Sequence, residues 1–137
     1  MVILSRATVG GASYGVGMPK SREDQFRALL AEQREEALRA LAAAQASLAM
    51  VAEARDQAGG DDEHDPEGVP LSREWARVDA AATEARARLK EVDSALLRLE
   101  TGTYGVCRSC AGAIPIERLR IRPYADVCVP CGSRSRR

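Results

Sequence analysis

An all-α fold is predicted for this chain: a long antiparallel coiled-coil hairpin followed by a small C4 zinc-finger module. Three observations predict it. Two stretches carry apolar residues at steps of three and four, a Gly-, Pro- and acid-rich segment separates them, and the only four cysteines form two Cys-x-x-Cys pairs near the end. Aromatics make up 4% of the 137 residues and charged residues 29%, a composition that suits long helices better than a thick globular core.

The leader, residues 1–19, is read as disordered. Val2, Ile3 and Leu4 give way to Gly10, Gly11, Gly15 and Gly17, without the basic start and sustained apolar block of a signal peptide. Met18 is a candidate natural start, because the helical pattern begins directly after it. No apolar run approaches the roughly 18 residues that span a bilayer.

The hairpin is expected over 20–102. Ser21 and Asp24 have the form of a capping box at a helix start. Leu30, Ala37, Leu41, Ala44, Leu48 and Val51 then mark one face, interrupted at Arg34, until Gly59 and Gly60 stop the helix. Residues 59–71 reverse the chain and form an acidic tip, with Asp61, Asp62, Glu63, Asp65 and Glu67. The second helix is marked by Trp75, Val78, Ala82, Ala85, Leu89, Val92, Leu96 and Leu99, and ends at Gly102. Small Ala82 and Ala85 let the backbones approach, and Trp75 locks the turn end. Arms on the order of 40 Å are expected at about 1.5 Å per residue.

The finger is expected over 103–132, with a basic tail at 133–137. Cys107 and Cys110 are separated by 17 residues from Cys128 and Cys131, a spacing that closes a tetrahedral site for one structural zinc ion. Two disulfides would demand an oxidising compartment, and a redox-active pair normally follows a strand in a β/α/β pattern that is missing here. Four protein ligands leave no open coordination position, so the metal acts as a staple and not as a catalyst. The chain also lacks a Ser/His/Asp set and a phosphate-cradling glycine loop, and a non-enzymatic role is expected. His64, the sole histidine, is read as a solvated imidazole among carboxylates.

The formal net charge is zero but segregated: acid at the tip, and arginine from Cys107 onward, including Arg118, Arg120 and Arg122. A narrow rod ending in carboxylates, with a basic finger at its base, is built to reach into a cleft while the base docks at the rim. Alternatives are a finger that grips nucleic-acid phosphates through those arginines, a structural coiled-coil adaptor, and an inert spacer with a solvated loop. The acidic turn and the scarcity of stacking aromatics argue against nucleic acid. The two stripes satisfy each other, so a monomer is expected, and reduced thiols without an export signal point to the cytoplasm.

The segments Gly102-Thr103-Tyr104-Gly105-Val106-Cys107-Arg108-Ser109-Cys110, Ile114-Pro115-Ile116-Glu117-Arg118-Leu119 and Pro123-Tyr124-Ala125-Asp126-Val127-Cys128-Val129-Pro130-Cys131 resemble the DksA/TraR family of bacterial RNA polymerase regulators. The order of elements is also the family's, and the resemblance covers Ser21 to Cys131. It implies a hairpin that enters the polymerase secondary channel and alters initiation without performing chemistry, with ppGpp as a frequent co-effector. On that resemblance Asp62, Asp65 and Glu67 are the tip residues facing the polymerase active centre; Arg118, Arg120 and Arg122 are candidate contacts at the base, to acidic polymerase surface or to the hairpin itself. The family's Asp-Pro-x-Asp-x-Ala tip is matched incompletely. Aligning Asp65-Pro66 puts Gly68 and Pro70 at the second Asp and the Ala, whereas Asp62-x-x-Asp65 recovers both carboxylates and puts Glu67 at the Ala position.

Overall fold

The computed structural model describes residues 18–58 and 68–136. Helix α1 spans Lys20–Gln57 and α2 spans Gly68–Thr101, and two short helices follow, α3 Ile116–Ile121 and α4 Val129–Arg134. Among the described residues there is no strand, only an antiparallel bridge between Val106 and Ala113. No helix among them is long and apolar enough to cross a membrane.

The expected capping box does not form. Pro19 is the N-cap of α1, and its carbonyl accepts from the N–H groups of Arg22 and Glu23 at 2.8 and 3.0 Å, with no side-chain cap. Pro19 lies outside the helix at ψ 139° and disfavours helical backbone at the residue before it, so the helix begins at Lys20 and takes Ser21 inside. Asp24 instead pairs with Arg27 at 2.9 Å.

The arms are longer than the 40 Å expected. α1 has 38 residues and α2 has 34, about 57 and 51 Å at ~1.5 Å per residue. The helices continue past their last stripe residues because the Ala, Glu and Arg that follow Val51 and precede Val78 are strong helix formers. Gly68, Pro70 and Leu71 belong to α2 and not to the reversal. A proline in the first turn costs no hydrogen bond, since the N–H groups there have no helical partner. The tip residues Asp62, Asp65 and Glu67, His64, and the leader through Gly17 lie outside the described residues.

The hairpin closes on two apolar clusters. Ala44, Val78 and Ala82, flanked by Leu41 and Leu48, hold the outer part. At the base Phe26 and Leu30 meet Val92, Ala95 and Leu99, so the start of α1 faces the end of α2 and the helices run antiparallel. The same cluster continues without a break into Tyr104, Cys107, Ile114, Leu119, Tyr124 and Cys131. Hairpin base and finger therefore share one core. Leu30, Val92, Ala95 and Leu119 are fully inaccessible to solvent.

α2 ends in a left-handed cap. Gly102 has φ +77°, a value that costs a side-chain-bearing residue dearly, and the N–H groups of Thr103 and Tyr104 both return to the Arg98 carbonyl, at 2.9 and 3.1 Å. This turn sends the chain back along the hairpin into the finger.

Candidate metal centre

The first cysteine pair sits in a knuckle built from backbone hydrogen bonds. The Cys107 N–H donates to the Gly112 carbonyl at 2.7 Å and the Ala111 N–H to the Cys107 carbonyl at 2.9 Å, with Ala111 at φ +59°. Gly112 is held there by space as well: a Cβ on it would lie 3.3 Å from the Cys110 sulfur. The second pair starts a helix. Cys128 is the N-cap of α4, Pro130 follows in the first turn, and the Gly132 N–H donates to the Cys128 carbonyl at 2.9 Å, which turns Cys131 to the same side. The knuckles are tied by the Arg108 N–H on the Asp126 carbonyl at 2.8 Å, and by the two side chains at 3.1 Å.

These constraints bring four free thiols together, with all ligand atoms within 4.8 Å of one another. Tetrahedral Zn–S bonds of about 2.3 Å require S···S edges of about 3.8 Å. The Cys110–Cys128 separation is 3.8 Å, so the donor set fits zinc. The Cys128 N–H also points at the Cys107 sulfur, at 3.3 Å. N–H groups of Cys110 and Cys128 draw the Cys107 thiol down to about 6, whereas sharing its proton with Cys128 pushes the Cys131 thiol up to about 11. Cys107 and Cys131 face the shared core, Cys128 is half-buried and Cys110 is exposed. The zinc would thus join the core on the side of Cys107 and Cys131 and face solvent on the side of Cys110 and Cys128.

Around the centre, aromatic and basic groups fasten the finger to the hairpin. Phe26 and Tyr104 pack with ring centroids 5.4 Å apart, and the buried Tyr104 hydroxyl donates to the Pro123 carbonyl at 2.6 Å. Burial pushes that phenol well above its ordinary range. Arg118 turns inward, Nε to the Val127 carbonyl at 3.0 Å, tying α3 to the second knuckle. Arg122 lies over the Tyr124 ring, and only Arg120 of the three base arginines is exposed. Between α2 and the finger a cleft of about 410 Å³ gathers Lys90, Arg98, Arg118, Arg122 and Arg136 around two carboxylates, Glu91 and Asp126. Sequence reasoning missed Phe26, Arg88 and Tyr124. The scarcity of aromatics was the available signal, since a chain with one Phe and one Trp has few ways to fill a core.

Residues 102–137 match the family described as prokaryotic dksA/traR C4-type zinc finger. An uncharacterised protein of Aquifex aeolicus is 44% identical over 45 residues, 33% of this chain and 31% of that protein. The RNA polymerase-binding transcription factors DksA of Haemophilus influenzae and Escherichia coli K12 are each 39% identical over 46 residues, 34% of this chain and 32% and 30% of theirs. The matched stretch therefore spans about a third of these relatives. The solved structure of transcription factor DksA2 from Pseudomonas aeruginosa superposes with a TM-score of 0.70 at 23% identity, over 86% of this chain and 85% of that one. The all-α hairpin-and-finger fold is thus shared with DksA2.

Proposed function

We propose, from a finger of the dksA/traR C4 type on a hairpin of the DksA2 fold, that this chain is a non-enzymatic transcription regulator that binds bacterial RNA polymerase. The hairpin enters the secondary channel, the acidic segment with Asp62, Asp65 and Glu67 approaches the active centre, and the finger docks at the rim. The protein works in the cytoplasm as a monomer. The carrying observation is the single core that runs from Phe26 and Leu30 into Leu119 and Cys131. It makes a thin double rod, more than about 50 Å long, continuous with its docking base, so that binding at the base fixes where the far end goes. Cys107, Cys110, Cys128 and Cys131 would fill the coordination sphere of one zinc ion, which supports a structural metal and no chemistry at it.

The co-effector ppGpp belongs to the same proposal, and the basic cleft beside Tyr124 is the anion-attracting face the fold offers. That cleft also favours the second reading, a finger that holds nucleic-acid phosphates. Binding of that kind weakens steeply with added salt.

The test is a pull-down of core RNA polymerase by the zinc-loaded protein carrying a photoreactive residue in place of Asp65. Crosslinks to the active-centre region support the channel reading. Failure to bind polymerase, with salt-sensitive retention of nucleic acid, transfers the function to the basic cleft and leaves the hairpin a spacer.

A further inference from the structure

Tyr124 of the finger is gripped by α2 at two separate points. The Arg88 guanidinium lies over its ring, 4.2 Å from the centroid, and Arg88 Nη1 donates to the phenol oxygen. The Tyr124 carbonyl accepts from Arg98 Nη2 at 3.4 Å. Positions 88 and 98 lie about 15 Å apart along the helix. Arg122 closes the group, 5.5 Å from the ring centroid, and Glu91 stands 3.6 Å from Arg88 Nε. The covalent joint is held by backbone alone: the Thr103 and Tyr104 N–H groups cap the Arg98 carbonyl, while Gly102 has no side chain and nothing lies within 4 Å of where a Cβ would be.

Apolar contacts in the shared core resist separation of finger and hairpin but are non-directional, whereas a guanidinium on a ring face and a hydrogen bond to its oxygen fix an orientation. From this we infer that Tyr124 is a positioning residue that sets the angle at which the hairpin leaves the finger. The angle matters because of the lever. Over an arm of about 57 Å, each degree of rotation at the base moves the far end by about 1 Å. The inference rests on the proposed function only in giving that angle a use, namely aiming the far end when the finger is docked.

The test places spin labels on non-natural residues at the exposed positions Met50, on the outer part of α1, and Val129, on the finger, and measures their distance distribution in the full zinc-loaded chain. The parent protein is expected to give one narrow distance. Tyr124→Ala is expected to shift or broaden it by several ångström with zinc content unchanged, and Tyr124→Phe, which keeps the stack and loses the bond to the phenol oxygen, to lie between the two. An unchanged distribution in Tyr124→Ala overturns the inference. Should that variant lose zinc or unfold, Arg88→Met decides from the hairpin side, because it keeps the aliphatic stem and removes the charge and the donor: broadening supports the inference and an unchanged distance overturns it. A parent protein that fails to bind polymerase would sink the proposed function and leave this result standing.

Discussion

Arg34 on α1 and Asp93 on α2 meet across the hairpin, Nε to Oδ1 at 2.8 Å, at the point where the apolar stripe of α1 is interrupted. Both side chains are roughly half exposed, 41 and 48%. The pair therefore fixes register more than it adds stability, with a contribution of about 0.5 kcal/mol after solvent screening. Asp93→Asn is expected to lower urea-unfolding stability by less than about 1 kcal/mol, and Arg34→Leu, which completes the stripe, to leave it unchanged or raise it. A loss of several kcal/mol in either variant would show that the pair is effectively buried.

Leu119 is fully inaccessible and is the one buried residue of α3, inserted into the core shared by hairpin and finger. Leu119→Ala is expected to cost about 3 kcal/mol through lost transfer energy and the cavity left behind. Exchange of the amide hydrogens of Phe26 and Leu30 should quicken with it, because they pack in the same cluster. Unaltered exchange there would separate the two halves of the core.

Zinc uptake is expected to depend on pH with a change of slope. In the metal-free chain the Cys107 thiol lies below its ordinary 9.0, so the stabilisation from its thiolate is complete above about 9 and is lost as pH falls through about 6. The Cys131 thiol lies above 9.0, so its contribution is complete below about 9 and is lost as pH rises through about 11. Between about 6 and 9 the first is ionised and the second protonated. Zinc must displace every remaining thiol proton, so affinity falls on acidification, and below about pH 6 the slope steepens by about one proton per metal as Cys107 joins. Competition with a chromophoric chelator from about pH 5 to 8 measures this; a constant slope would contradict the hydrogen bonding at Cys107. Removal of the metal is expected to loosen the base while most helical signal in circular dichroism survives, since α3 and α4 hold six residues each against 38 and 34 in the arms.

Replacing Asp62 and Asp65 together by Asn is expected to preserve zinc content, helicity and polymerase affinity while abolishing the effect on transcription in vitro. Carboxylates in a low-dielectric site beside a metal act strongly on it, and their neutral isosteres do not. An undiminished effect would mean that the hairpin acts as a plug.

The zinc ligands and the two stripes were legible because each rests on a strict spacing: two Cys-x-x-Cys pairs, and the return of Val78, Ala82, Ala85, Val92 and Leu99 to one face. What the sequence hid depends on neighbours far along the chain. Ala95 is fully buried although Leu96 is the larger apolar residue, because position 95 falls within the cluster that Phe26, Leu30 and the finger build, and Leu96 lies at its edge. Phe26 lies one turn before Leu30 and completes the stripe, yet its worth comes from Tyr104, 78 positions later. Arg118 and Arg120 look alike as two charges on a six-residue helix, and the inward turn of Arg118 is decided by the Val127 carbonyl of the second knuckle. The start of α1 is decided by Pro19, which caps the helix through its carbonyl, and not by the Ser21 and Asp24 pattern.

The metal site borrows one of its walls from the opposite end of the chain. Cys107 and Cys131 lie in the cluster that Phe26 and Leu30 complete from the first turns of α1. Recombination that moved residues 102–137 onto another helical stem would carry all four ligands and leave that wall behind, exposing apolar surface beside the zinc. The finger is thus not a cassette that evolution or an engineer can shuffle freely: a successful transplant must bring an aromatic and a leucine of the recipient stem into register with it, and α1 and the finger are expected to have changed together.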